Sequence, residues 1–111
     1  MNFDVADISL KNSIRCITVK DNEQMIGMGR IVGDGSIYFY IQDIVVHPDY
    51  QKHGIGKEIM HRLVTYLHEN APDKAFVGLF ASEGKESFYE KFDFKDYSPN
   101  MTGMFTVISK T

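Results

Sequence analysis

The sequence has no tryptophan, three prolines and a single cysteine among 111 residues. A lone thiol, Cys16, cannot close an internal disulfide, and no pair of cysteines stands at the spacing of a structural zinc site. Cys16 is expected as a small buried group in a strand. No apolar run approaches the ~20 residues that span a bilayer. The opening MNFDVADISLKNS has no basic segment leading into an apolar one, so it does not read as a signal peptide. A soluble, cytoplasmic protein with no membrane partner is the expectation. A positive excess is missing as well. Twelve Lys and Arg stand against fifteen Asp and Glu, a formal net charge of -3. That balance argues against a nucleic-acid partner and agrees with a cationic small-molecule substrate.

What is present suits one domain over residues 1–111. The chain is too short for two domains, and at 43% hydrophobic and 24% charged it can bury a single core of moderate size. VADISLKNS reads as a short helix with Val5, Ile8 and Leu10 on one side. SIRCITVKD alternates, Ile14, Cys16 and Thr18 against Arg15, Ile17 and Val19, which predicts a strand. After the turn DNEQ, MIGMGRIVG reads as a second strand in which Gly27 and Gly29 mark a bulge or a close approach. GDG at Gly33 to Gly35 is a hairpin signal. SIYFYIQDIVVH follows as a long strand whose near-continuous apolar character predicts burial on both faces.

PDYQKHG breaks that strand, and the period changes. Ile55, Ile59, Leu63 and Leu67 recur every four residues, with charged residues between them, so an amphipathic helix is expected over Ile55 to Glu69. NAPD stops it. KAFVGLFAS is expected as a strand, EGKESFYEKF as a short helix with Ser82 as its N-cap, and FKDYS and GMFTVISK as two closing strands. The order α-β-β-β-α-β-α-β-β predicts an α/β architecture, a mixed sheet flanked by helices.

The stretch HPDYQKHGIGKEIM places Gly54 and Gly56 where the long helix begins. A helix N-terminus presents amides with no intrahelical partner and about half a positive charge. It therefore stabilises an anion, and glycine lets a bulky ligand approach the backbone. The loop is not a Walker loop, because the Gly-Lys-Ser/Thr ending is absent. Nor is it the dinucleotide fingerprint, because Ile59 stands where the third glycine belongs.

DIVVHPDYQKHGIGKEIM resembles the acetyl-CoA-binding segment of the GNAT superfamily of N-acetyltransferases, a strand followed by a Gln/Arg-x-x-Gly-x-Gly/Ala loop and a helix. Gln51, Gly54 and Gly56 fill the three fixed places. FYEKFDF is similar to the family's C-terminal signature, with Asp93 where the family commonly has glycine. The resemblance runs from about Met25 to the C-terminus. GNAT domains usually begin with a strand and two helices, and residues 3 to 12 match only the end of that region. The acceptor site is then open, or completed by a second subunit as a homodimer, or the chain is shortened.

The resemblance implies a GNAT-like fold and acetyl-CoA as co-substrate, with no metal. The implied reaction moves the acetyl group to a primary amine of a small molecule or peptide by direct attack in a ternary complex. Backbone groups of Ile44, Val45 and Val46 would pair with the pantetheine, and an N–H there would face the thioester oxygen. Amides from Gln51 through Lys52, His53, Gly54, Ile55 and Gly56 to Lys57 would hold the pyrophosphate, with Lys52, His53 and Lys57 adding charge; the simpler reading of His53 is a solvated loop residue. Tyr89 falls on the tyrosine that donates a proton to the departing thiolate in many members; packing with Phe88 and Phe92 is its other reading. Asp43 is the best-placed base for the amine, or a polar strand-edge residue. Ser82 contacts the pantetheine or caps its helix. A non-catalytic CoA-binding module is the alternative within the family, and a nucleotide-phosphate binder the alternative outside it.

Overall fold

The computed structural model describes residues 10–110. Most of the helix expected at the N-terminus lies outside that range; Leu10 and Lys11 are helical. The elements are β1 (Arg15–Asp21), β2 (Gln24–Gly33), β3 (Tyr38–Val46), α1 (Ile55–Asn70), β4 (Phe76–Gly78) and α2 (Glu86–Glu90). The strands form one mixed sheet in the order β1-β2-β3-β4. β1, β2 and β3 are antiparallel neighbours, and β4 runs parallel to β3. A parallel return needs a crossover, and α1 supplies it. The chain divides into two compact units, one ending at Leu79 and one beginning at Phe80.

In the first unit, the period-four residues of α1 become the core. Ile59, Met60, Leu63 and Leu67 are buried, together with Ile26 and Ile31 of β2 and Phe39 and Ile41 of β3. Gly27 and Gly29 are close-approach positions. A Cβ on Gly29 would stand 2.5 Å from Cδ1 of Ile44 and 2.6 Å from Cγ2 of Ile59. The bulge lies on the neighbouring strand. Met28 pairs with Val45 and Arg30 with Gln42, so Asp43 and Ile44 together oppose Gly29. Asp43 has φ 58°, the left-handed first position of a two-against-one bulge.

The β2–β3 connection is longer than a two-residue hairpin. Asp34 Oδ1 accepts the N–H groups of Ser36, Ile37 and Tyr38 at 2.8, 2.8 and 3.0 Å. Those three donors hold its carboxyl below the ordinary range.

Three expectations are corrected here. Cys16 is exposed. The alternation along β1 is as read, but Ile17 and Val19 take the half-buried side. Arg15, on their side, lies with its guanidinium 5.6 Å from the Tyr66 ring of α1. β3 is not buried on both faces. Phe39 and Ile41 are enclosed while Tyr38 is half exposed, because α1 covers one face only. Tyr38 and Tyr40 instead meet Phe76 edge-on at 5.9 and 6.0 Å. FKDYS and GMFTVISK form no strands. Met104, Phe105, Val107 and Ile108 are all more than 70% exposed. β-propensity expresses packing on a paired, half-buried surface, and among the described residues this segment has no ladder partner.

In the second unit, α2 is shorter than its pattern suggested, and Ser82 does not cap it. The N-cap is Lys85, with no side-chain cap bond; Ser82 contributes only its carbonyl, which accepts the Lys85 N–H at 2.9 Å. The Phe88 ring packs against Tyr89 at 5.1 Å and Phe92 at 5.7 Å.

The seat of α1 on β2 is testable. Gly29→Ala is expected to cost about 1–3 kcal/mol of unfolding free energy, the usual penalty for overpacking, measured by chemical denaturation. A variant as stable as the parent would mean the helix does not lie this close.

Candidate active site

β4 pairs with β3 only from Tyr38 to Tyr40. Beyond Tyr40, no strand among the described residues takes that edge of β3. The direction of the exposed backbone groups follows from the register. His47 N–H donates to Ile26 O at 2.7 Å, and Val46 stands opposite Gly27. Bonded and non-bonded pairs alternate in an antiparallel ladder, so Val46 turns its N–H and C=O away from β2, onto the open edge. Its carbonyl accepts Gln51 Nε2 at 3.1 Å. The Val46 N–H has no strand partner among the described residues and is aimed along the edge where β3 and β4 part.

The chain then turns sharply. Pro48–Tyr50 is one 3-10 turn with proline in its first turn. Proline suits such a start because its missing N–H would have no partner there. Lys52 and Gly54 both have positive φ, 67° and 81°. Alternation of this kind curls successive N–H groups into an anion-binding concavity. Gly54 is the N-cap of α1 and makes no side-chain cap bond. The helical ladder begins when Glu58 N–H donates to Gly54 O at 3.0 Å. The amides of Ile55, Gly56 and Lys57 precede it and have no carbonyl one turn back within the helix. A Cβ placed on Gly54 meets nothing within 4 Å, so this mouth opens to solvent. Lys52, His53 and Lys57 are exposed around it. Glu58, the acid of the first turn, is drawn to Arg62 Nε at 2.9 Å.

The sequence-derived candidates are distributed as follows. Ile44, Val45 and Val46 form the end of β3, and Lys52 through Lys57 form the loop and helix mouth. Gln51 differs from its expected part. Its backbone N–H is directed to Pro48 O at 3.4 Å and its side chain ties the loop to β3. Asp43 sits at the bulge, where its Oδ2 accepts Arg30 Nε at 2.7 Å. Arg30 Nη1 in turn donates to Ser13 Oγ at 3.0 Å. One carboxylate oxygen is thus committed to holding the left-handed position of the bulge. Tyr89 and Ser82 belong to the second unit. Burial raises the Tyr89 phenol above its ordinary 10.0.

Sequence reading missed Arg30 and Tyr50. Arg30 had a signal, since a lone cation inside MIGMGRIVG demands a partner. Tyr50, whose hydroxyl reaches Asp21, had none, because the two are separated by 29 positions.

An open strand edge running into a glycine-capped helix mouth has the geometry to take an extended ligand with an anionic end. Residues 5–104 match the family model described as an acetyltransferase (GNAT) domain. The chain is 36% identical over 102 residues to the protein named uncharacterized N-acetyltransferase ycf52 of Pyropia yezoensis, which covers 88% of this chain. It spans 58% of that relative's length. A probable acetyltransferase from methicillin-resistant Staphylococcus aureus superposes with a TM-score of 0.91 at 31% identity, over 97% of this chain and 81% of that one. A GNAT family acetyltransferase from Elizabethkingia anophelis, solved with acetyl-CoA bound, shares the fold at a TM-score of 0.64 and 18% identity, over 82% and 60% of the two chains. The chain belongs to the GNAT acetyltransferase family, and its mixed sheet with helices is the fold of those structures.

The bulge gives a second prediction. Asp43→Ala removes both the Arg30 bond and a side chain that tolerates the left-handed region, at an expected cost of about 1–2 kcal/mol in denaturation. Asp43→Asn, which tolerates that region well, is expected to lose less. Equal losses would mean that the backbone conformation is not what Asp43 secures.

Proposed function

We propose that the protein is an N-acetyltransferase that passes the acetyl group of acetyl-CoA to a primary amine of a small molecule or peptide. The observation that carries this reading is the continuity between the outward Val46 N–H and the Gly54 helix mouth. The donors fit a CoA thioester: strand backbone for the pantetheine amides, and curled amides with exposed lysines for the phosphates. The acetyl-CoA in the E. anophelis relative supports the same reading. Acetyl-CoA supplies an activated acyl group. The amine attacks as the neutral base, because an ammonium has no lone pair. The new N–C bond forms as the C–S bond breaks. The Val46 N–H stabilises negative charge developing on the thioester oxygen. The resemblance of FYEKFDF to the family's C-terminal signature is what assigns the Tyr89 phenol the part of hydrogen-bonding or protonating the leaving thiolate.

Tyr89 suits that part in protonation. Its pKa is raised above 10.0 by burial, so the phenol stays neutral across the physiological range. The sign follows from linkage. A phenol whose pKa is raised on folding contributes stability below pH ~10, and that contribution is lost as pH climbs through the folded value. Against a thiol of pKa ~8.5 the transfer is slightly uphill, so hydrogen bonding carries part of the effect. Asp43, with one oxygen on Arg30, keeps its other oxygen to accept, directly or through a water, the proton that the amine nitrogen sheds. Neither nucleic acid nor membrane enters this reading. Among the described residues no helix is long and apolar enough to cross a membrane. The cytoplasm is the proposed compartment, although two relatives, both of Arabidopsis thaliana, are named as chloroplastic.

Calorimetric titration with acetyl-CoA, followed by turnover on a panel of amines, tests this function. Binding with no turnover on any amine would favour a non-catalytic CoA-binding module. Gly54→Val is expected to weaken acetyl-CoA binding at least about tenfold, by straining the left-handed N-cap and by obstructing the approach of phosphate to backbone; unchanged affinity would contradict the loop assignment. Tyr89→Phe is expected to lower kcat with little change in acetyl-CoA affinity. Unaltered turnover would leave Tyr89 as packing alone.

A further inference from the structure

The anion-binding loop carries two left-handed residues, Lys52 and Gly54. Its shape therefore depends on what fixes the chain on either side. On the helix side, α1 is embedded in the core through Ile59, Met60 and Leu63. On the strand side, Gln51 Nε2 holds Val46 O. Between these lies Tyr50, whose hydroxyl donates to Asp21 Oδ2 at 2.5 Å. Asp21 is the last residue of β1 and pairs with Gln24 across the β1–β2 turn. The bond therefore joins the loop to a different part of the sheet, far away in sequence. The Tyr50 ring is steadied by the His47 ring, 5.8 Å away and nearly perpendicular. His47 is itself fixed, its Nδ1 accepting Asp49 N–H at 3.1 Å.

We infer that Tyr50 is a positioning residue for the anion-binding loop, and that the Asp21 carboxylate is its anchor. The bond contributes nothing to the apolar core, since neither residue is among the buried ones. Its consequence is local: it fixes where the chain enters the run of amides from Lys52 to Lys57. Asp21 also holds the Tyr50 proton in place. The hydrogen bond to Asp21, partial desolvation and the charges of Asp21 and Asp49 all raise its pKa above 10.0, so the donor persists throughout the neutral range. A ligand whose phosphates meet preset amides does not have to order them. Loss of the clamp should therefore appear in binding and not in the transfer step. This inference rests on the acetyltransferase reading only for its choice of ligand.

The test compares the parent with Tyr50→Phe, Asp21→Ala and Asp21→Asn. Tyr50→Phe and Asp21→Ala are expected to raise the acetyl-CoA Kd and KM about three- to tenfold, with kcat within about twofold and thermal midpoints close to the parent. Asp21→Asn keeps an oxygen acceptor and is expected to bind nearly as the parent does. Tyr50→Phe binding like the parent, a fall in kcat matching the rise in KM, or no rescue by Asp21→Asn would each overturn the clamp. Hydrogen exchange of the amides of residues 51–57, measured without ligand, separates this proposal from the function it serves. If the parent fails to bind acetyl-CoA, the acetyltransferase reading falls. Faster exchange in Tyr50→Phe then still supports the clamp, and unchanged exchange overturns it.

Discussion

The close seat of α1 on β2 is the constraint from which the site follows. Two positions without side chains, Gly27 and Gly29, let Ile55 and Ile59 of the helix come down almost onto the strand. Burial of Ile59, Met60 and Leu63 then fixes the helix axis and, with it, the direction of its amino end. Each fully buried aliphatic side chain contributes on the order of 1.5–3 kcal/mol, so the helix mouth rests on the most secure part of the first unit. The amides proposed to bind the anion need no dedicated side chain. They are the exposed end of a core element.

The bulge on β3 complements this seat. Opposite Gly29, the strand accommodates one extra residue, and Asp43 takes the left-handed position under the hold of Arg30. A bulge bends and twists its strand. Here it lies within the segment whose outer edge goes unpaired, three residues beyond the last pair with β4. The three-residue β4 pairs with the start of β3 and no further, so the end of β3 keeps an open backbone edge. The proposed strand addition and helix-mouth anion binding, two general devices, would be brought into line by one helix and one bulge.

How much of this was legible in the sequence depended on how local the signal was. The period-four pattern from Ile55 gave α1 almost to the residue, and Gln51, Gly54 and Gly56 marked the loop because a glycine-capped helix start is written in adjacent positions. The alternation of β1 was legible, but not which side faces the helix, so Cys16 was assigned inward. That choice is made by α1, which begins 39 residues after Cys16 in the chain. Met104, Phe105, Val107 and Ile108 have strand-forming side chains yet stand exposed, since a strand exists only with a partner and propensity does not supply one. The Tyr50–Asp21 bond, and which residue partners Arg30, were not legible for a similar reason: each bond joins residues that only the folded sheet brings together.

The central claim is that strand edge and helix mouth act as one ligand-binding track through their backbone. Amide chemical shifts followed during titration with acetyl-CoA, and separately with inorganic pyrophosphate, test it most directly. The account predicts that acetyl-CoA shifts the Val46 amide together with those of Gly54 to Lys57, while pyrophosphate shifts only the latter group. Acetyl-CoA that moves neither group, or moves the helix mouth and leaves Val46 untouched, would contradict it.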